Sequence, residues 1–446
     1  MSEETHHHGQ IPLIQLSIGM VSIFPLDYMH LACLGVMRRL LKLWIKGPLK
    51  TRQGPQAIRG ISASLLALRM NIPLEFARKP RALRDLERWK ATEFRQFLLY
   101  TGPVVLRHCI PSKLYKNFML FSIGMFIFLS PTCCKTLTQY GHDLLVRFVE
   151  QIAVLYGRDM VTYNVHCLVH LSEDVQKFGS LDKVSCFPFE NFLGQLKKMV
   201  RKPASPIQQV VRRLSEQGET LQCASGQILQ QPHHNGPLPS NMVVREQFSM
   251  ANLSHFTVKL SEGDNCFQIG NDVALVRNIF VSNGEPYVLF QKFSIVEAFY
   301  QSPLDSTVLG IFRSKKMSQK LKVAKLNDIL WKYVSIPEKK MTTLSCHYCT
   351  QSNCANFHLL HLFPFSIMPT FLIVEFPGEE DVGIISLSWT IGKDKCNWPP
   401  FKGSQRFEKA VKLNEKPDSS WSTHRIRILG RAGKRCSNMI HPAQIC

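Results

Sequence analysis

Apolar and polar positions recur along this chain with two different periods, and the change of period divides it. From about His30 to Phe178 apolar residues fall three and four apart, the spacing that gathers them on one face of a helix. The first such segment runs from His30 to Lys46, with Leu31, Leu34, Val36, Leu40, Leu41 and Trp44 on its apolar side, and stops at Gly47-Pro48. Further helices are predicted near 55–70, 82–100, 111–129, 138–156 and 163–178. Turn signals separate them at Asn71-Ile72-Pro73, Gly102-Pro103, Ser130-Pro131 and Gly157. Ahead of this block, residues 10–24 are apolar, bounded by Pro12 and Pro25, and read as one or two short strands. Residues 185–217 read as two consecutive helices: Pro188 fits the first turn of one, Pro203 ends it, and Ser205-Pro206 caps and opens the next.

After a Gln-, Ser-, Pro- and Asn-rich stretch at 218–245, which reads as a linker, the period shortens. Strands are predicted at His255–Leu260, Cys266–Gln268, Val273–Phe280, Tyr287–Phe293, Thr307–Phe312 and Leu330–Ile336, with Asn283-Gly284 as a hairpin turn. The prediction for 246–337 is a small all-β, barrel-like domain. Residues 338–368 read as an irregular linker containing Cys and His. Residues 369–446 read as a small basic α/β module with strands at Phe371–Phe376 and Val382–Leu387. The expected class is therefore α+β and multidomain.

Composition adds a partner. At 45% hydrophobic and 20% charged, the 446-residue chain is expected to fold around a core. Lys and Arg outnumber Asp and Glu by 54 to 33, a net charge of +21. Such an excess favours a polyanion, most simply nucleic acid, because neutralised phosphates release counterions. The plain alternative is a basic protein with no special partner. The N-terminal residues Met1–His8 are polar and lack the apolar core of a secretory signal. The longest apolar run, Phe118–Leu129, spans twelve residues, too short to cross a bilayer, and reads as a buried helix. No membrane partner is expected, and the 14 Cys read as reduced thiols.

Four constellations could carry chemistry. Glu190, Gly194, Lys197 and Arg201 share one face of a predicted helix over 187–202, with Phe189, Leu193, Leu196 and Val200 on an adjoining face expected to pack inward. A carboxylate followed by Lys197, Lys198, Arg201, Lys202, Arg212 and Arg213 suits metal-assisted chemistry on DNA, although one Glu on a basic helix is ordinarily just a surface residue. Asp27-x-x-His30 and His166-x-x-x-His170 supply two pairs of metal ligands, against the alternative of unrelated core residues. Cys346, Cys349, Cys354 and His358, with His347 and His361 nearby, begin with zinc-knuckle spacing but do not continue it. Between 401 and 446, ten Lys and Arg stand against three Asp and Glu. There Trp389, Trp398, Phe401, Phe407 and Trp421, among or just before the cations, either touch nucleic acid or anchor a small core.

Three strings in this order, FPLDYMHLACLGVMRRLL (24–41), YNVHCLVHLSEDVQKFG (163–179) and FPFENFLGQLKKMVRK (187–202), resemble the CACTA-type (CMC superfamily) DDE transposases. WKATEFRQFLLYTGPVVL (89–106) and EFARKPR (75–81) are similar to the same animal branch, so the resemblance covers about residues 6–217. It implies a partial RNase H-like core over 1–217 interrupted by a large all-helical insertion at about 31–175. It implies that Glu190 is the catalytic glutamate, and that Asp27, His30, His166 and His170 hold a structural Zn²⁺. Mg²⁺ is implied only for a catalytic protein. The family's two catalytic aspartates precede the Asp-x-x-His string, and residues 1–26 contain no Asp, so catalysis by this chain alone is not expected.

The expected function is that of a transposon-derived nuclear protein that binds DNA, with a second copy or an intact transposase as further partners. The competing readings are an active metal-dependent endonuclease subunit completed by a partner's carboxylates, and a truncated product with no selected role.

Overall fold

In a computed structural model, the described residues are 23–220, 228–339, 342–347, 371–377, 381–392, 394–400, 406, 410 and 415–432. The strands expected over 10–24, apart from the turn residues Ile23 and Phe24, and the positions Cys349, Cys354, His358, His361, Phe401 and Phe407 lie outside them. The chain divides into two compact units, Met1–Glu190 with Gly226–Ala355, and Asn191–Ser225 with Asn356–Cys446.

The first unit opens on a π-helix, Met29–Met37, that runs directly into α1 (Arg38–Lys46). There follow α2 (Pro55–Ala67), α3 (Ala91–Gln96), α4 (Gly102–Val105), α5 (Ser112–Leu129), α6 (Cys133–Thr136), α7 (Thr138–Tyr156), α8 (Tyr163–His166) and α9 (Leu171–Phe178). The helix α5 is buried continuously from Asn117 to Leu129, which accounts for its unbroken apolar sequence. No described helix is long and apolar enough to cross a membrane. It lies close against α7 because both carry glycine at the crossing. A Cβ on Gly124 would sit 2.8 Å from Leu145 Cδ2, and one on Gly141 would sit 2.7 Å from Phe128 Cε1. Phe121 and Phe148 stack across the same contact at 4.8 Å between centroids.

The helix expected over 82–100 is broken. A 3₁₀ turn, Leu83–Arg88, ends at Trp89 and Lys90, whose backbones are extended. The cause is local: the buried Glu93 carboxylate accepts from Lys90 N–H at 2.9 Å, opening α3 there. Arg81 holds the same carboxylate through Nε and Nη2 at 2.6 Å each. The helix expected over 163–178 is likewise three pieces, α8, the 3₁₀ turn Cys167–His170, and α9.

The small all-β domain expected over 246–337 is a nine-stranded antiparallel sheet that begins earlier and ends later. Its strands are β1 (Leu229–His233), β2 (Glu246–Asn252), β3 (Thr257–Lys259), β4 (Cys266–Ile269), β5 (Asp272–Ser282), β6 (Glu285–Ala298), β7 (Ile311–Lys325), β8 (Ile329–Lys339) and β9 (Thr342–His347). Their order is β1-β2-β5-β4-β8-β9-β7-β6, with β3 on β2 and β6 also paired to β5. The long strands β5, β6 and β7 make this possible, because register shifts at Val276/Asn278 and Gln291/Phe293 bend them between neighbours. The expected turn is present: Asn283 and Gly284 have φ of 51° and 79°, the left-handed pair a two-residue hairpin needs, with Ser282 opposite Glu285. β1 lies inside the stretch read as linker, and β9 inside the stretch read as irregular.

The second unit contains α11 (Pro206–Thr220) and the part of α10 (Phe187–Met199) beyond Glu190, since α10 spans the boundary between units. It also contains two three-stranded antiparallel sheets. One is β11-β10-β15, from β10 (Phe371–Phe376), β11 (Asp381–Ser386) and β15 (Arg427–Ala432). The other is β12-β13-β14, from β12 (Thr390–Ile391), β13 (Lys395–Trp398) and β14 (Ser422–Arg425). Trp389 and Trp421 meet edge-on at 4.8 Å in a core with Val374, Phe376, Ile385 and Cys396. Those two aromatics are core anchors.

Overall the structure is mixed α and β with antiparallel sheets, and an RNase H-like core is not a feature that the described residues establish.

Candidate functional site

The segment Leu26–His30 is bound on every side by residues more than sixty positions away. Asp27 ends the extended entry and caps the π-helix: Oδ1 accepts from Met29 N–H at 3.3 Å, and Oδ2 from His30 N–H at 3.1 Å. The same Oδ1 accepts from Cys186 N–H at 2.9 Å, and Oδ2 pairs with His30 Nδ1 at 2.6 Å. Leu26 N–H donates to Asp174 Oδ2 on α9 at 2.8 Å. Burial raises the Asp174 carboxyl above the ordinary range, and the Leu26 bond works the other way.

Tyr28 is fully buried beside them. Its hydroxyl donates to Asp182 Oδ1 at 2.5 Å and accepts from Arg95 Nε at 2.9 Å, and Arg95 Nη2 reaches Asp182 Oδ2 at 3.1 Å. The Arg95 and Asp182 side chains are each only 4% exposed, so this is a buried ion pair with the Tyr28 hydroxyl bonded to both partners. Burial drives the Tyr28 phenol well above its usual range, while the Arg95 charge pulls it back. The Tyr28 ring lies 5.7 Å from Phe187 at the start of α10.

The predicted metal tetrad separates into two pairs. No three of Asp27, His30, His166 and His170 bring donor atoms within 4.8 Å of one another. The group of that kind among the described residues is Asp27, His30 and Cys186, and Cys186 was not anticipated. Burial, then the Asp27 and Glu190 carboxylates, push the Cys186 thiol up to about 11. His166 and His170 face each other instead, Nε2 to Nε2 at 3.4 Å, with His170 Nδ1 3.5 Å from Glu173. The separation follows from backbone geometry. Asp27 turns its carboxylate toward Cys186 and the first N–H groups of the π-helix, while the two histidines, at the ends of α8 and of the 3₁₀ turn that follows it, meet each other.

Glu190 is exposed on α10, one turn beyond Cys186, whose carbonyl accepts its N–H at 2.9 Å. Half of the apolar stripe expected to pack inward does not: Phe189 is 63% exposed and Leu193 49%, while Leu196 and Val200 are half-buried. Nor does Arg201 share a helical face with Glu190, because α10 ends at Met199. Arg201 and Lys202 lie in the connection to α11. Lys197, Lys198, Arg201 and Lys202 are all exposed, and among the described residues none of them pairs with an acidic side chain. Arg212 is exposed and pairs with Glu216 at 3.3 Å, and Arg213 is half-buried.

One family matches, described as "Domain of unknown function (DUF8592)", over residues 232–348. No curated protein and no solved structure matches the chain. The matched span coincides with the nine-stranded sheet, from the end of β1 to just past β9.

That sheet carries a charged group absent from the sequence reading. Lys332, on β8, is 1% exposed. Its Nζ donates to Glu75 Oε1 and Oε2 at 2.9 and 2.8 Å, to Asp264 Oδ1 at 2.7 Å and to the Thr257 carbonyl at 2.7 Å. Leu74 N–H also donates to Asp264 Oδ1 at 2.9 Å. The ammonium thus fastens the segment before α3 to the sheet. A lysine in the apolar run ILWKYVSI was the available signal, but its partners lie 68 and 257 positions away.

Proposed function

We propose that this chain is a transposase-derived, DNA-binding protein of the nucleus, in which α10, α11 and their connection engage the phosphate backbone. The observation that carries the reading is the set of exposed cations Lys197, Lys198, Arg201 and Lys202, which have no acidic partner among the described residues, within a chain of net charge +21. Arg212 and Arg213 extend it. Unneutralised cations concentrated on one short stretch gain from a polyanion what a mixed-charge surface would not. In this reading Asp27 is a clamp and Glu190 does not by itself make a phosphoryl-transfer centre. Two-metal chemistry needs several converging carboxylates, and the ligand group at Asp27 contains one.

A structural zinc remains part of the proposal, centred on His166 and His170. Tetrahedral zinc with nitrogen ligands at about 2.0–2.1 Å separates them by about 3.3–3.4 Å, and the two Nε2 atoms lie 3.4 Å apart. Zinc there would stiffen the junction of α8 and α9. Elemental analysis of purified protein should find zinc, and the double substitution His166→Ala/His170→Ala should remove it; zinc retained by that variant would sink the assignment.

The test of DNA binding is a salt titration of duplex affinity by fluorescence anisotropy. With six cations engaged, the slope of log affinity against log salt is expected near −5, so affinity falls roughly a thousandfold between 50 and 200 mM salt. Binding absent at low salt, or indifferent to salt, overturns the reading. Mg²⁺-dependent nicking by the pure chain that Glu190→Ala abolishes would overturn its non-catalytic part.

A further inference from the structure

The connection between α10 and α11 is held by one side chain. Gln209, on the first turns of α11, reaches back over it. Its Oε1 accepts from Arg201 N–H at 2.9 Å and Lys202 N–H at 3.2 Å. Its Nε2 donates to the carbonyls of Lys202 at 2.9 Å and Ala204 at 2.6 Å. Two acceptor and two donor positions are the whole capacity of a carboxamide, and all four are spent on this connection. The connection needs such help. It contains Pro203, which offers no N–H, and Ser205 at φ 47°, a left-handed conformation unfavourable to a residue with a Cβ.

The bonds fall on the backbone of the cation-bearing residues themselves. Arg201 and Lys202 are fixed through their own N–H groups, and Lys202 through its carbonyl too, while their side chains remain exposed. Lys197 and Lys198 stand on the last turn of α10, which leads directly into that connection. Two cations on a mobile connection would each surrender backbone freedom on meeting phosphates, whereas two on a fixed one, beside two on a helix, surrender only side-chain freedom.

We propose that Gln209 is a positioning residue for nucleic-acid binding: it touches no phosphate, and sets the spacing at which Lys197, Lys198, Arg201 and Lys202 meet a single run of backbone phosphates. This rests on the DNA-binding reading above. It adds that these cations act as one preformed unit and that sequence discrimination is not their task, since phosphate contacts carry no base information.

The experiment uses the full chain with Gln209→Ala, Gln209→Asn and a variant in which Lys197, Lys198, Arg201 and Lys202 are all Gln. Asn keeps the amide but shortens its reach by one methylene. Amide hydrogen exchange at Arg201 and Lys202 is read alongside duplex affinity and its salt slope, with helix content from circular dichroism as the folding control. Both Gln209 variants are expected to exchange faster at those two amides with unchanged helix content. They should bind duplex about tenfold more weakly at 50 mM salt, with a slope smaller by about 1–2 contacts, and the four-Gln variant should lose about 3–4 contacts. A merely structural glutamine would leave the slope alone. Unaltered exchange at both amides overturns the staple. Faster exchange with unaltered affinity and slope overturns the positioning role while leaving the DNA reading intact. Full affinity in the four-Gln variant overturns the DNA reading, and this inference with it.

Discussion

Asp27→Ala is the substitution that most directly separates a clamp from a catalytic or metal-binding carboxylate. The Asp27 side chain is 16% exposed and accepts from Met29 N–H, His30 N–H, His30 Nδ1 and Cys186 N–H. Losing a helix N-cap costs about 1 kcal/mol. Losing a hydrogen bond to a charged group costs about 1.5–3 kcal/mol. The Cys186 bond is the one of that kind that joins distant segments, so Ala should cost about 2.5–4 kcal/mol. Asn keeps one carbonyl oxygen, able to accept from Cys186 and Met29, but presents an N–H group toward His30 N–H. Its cost should be nearer 1 kcal/mol, about one cap. Guanidinium unfolding followed by tryptophan fluorescence measures both. Duplex affinity of the folded variants should stay within twofold of the parent. An Ala variant within about 0.5 kcal/mol of the parent would refute the clamp, as would an Asn variant no better than Ala.

Three further outcomes follow, two from buried polar groups and one from a close helix crossing. Lys332→Met leaves the Glu75 and Asp264 carboxylates buried without their cation, and should destabilise by about 3–5 kcal/mol in chemical denaturation; adding Glu75→Gln and Asp264→Asn should recover a large part, and no recovery would count against an electrostatic origin. Tyr156→Phe removes the acceptor of the buried Trp44 Nε1 bond of 3.1 Å and should cost about 1–3 kcal/mol near neutral pH. Burial pushes the Tyr156 phenol up to about 12, with the Trp44 bond working the other way. The folded state therefore keeps that proton longer than the unfolded state, and stability present below pH 10 is lost as pH rises toward 12, a loss that should be shallower in Tyr156→Phe. Gly141→Val should weaken the chain by several kcal/mol through overpacking against Phe128 Cε1, which even a Cβ would approach at 2.7 Å; a thermal midpoint unchanged within a degree would contradict the close α5–α7 crossing.

Helices such as α5 and α7 were legible because apolar periodicity and Gly or Pro boundaries agreed. Where the sequence misled, a contact distant in sequence or a single reaching side chain decided the outcome. The break before α3 depends on Glu93 turning back to Lys90, which no periodicity records. The outward Phe189 and Leu193 defeat the inward stripe, because an amphipathic pattern states which residues share a face and not which face meets the core. β9 was hidden by its Cys- and His-rich surroundings, and its pairing with β7 and β8 is set by those strands. At the candidate site, Asp27, His30, His166 and His170 were legible as local pairs. Whether they converge on one point, and the entry of Cys186, depended on tertiary distances.

The ties from Leu26, Asp27 and Tyr28 to Asp174, Cys186 and Asp182 span 148, 159 and 154 positions. During synthesis at about 5–20 residues per second, the 24–30 segment therefore waits roughly 7–30 s for these partners to be made. Over that interval Tyr28, buried in the finished protein, lacks its Asp182 partner. The longest-range ties of the entry segment thus form only after the rest of the helical block has been made, and a nascent chain stalled before residue 174 would hold all three of them unmade.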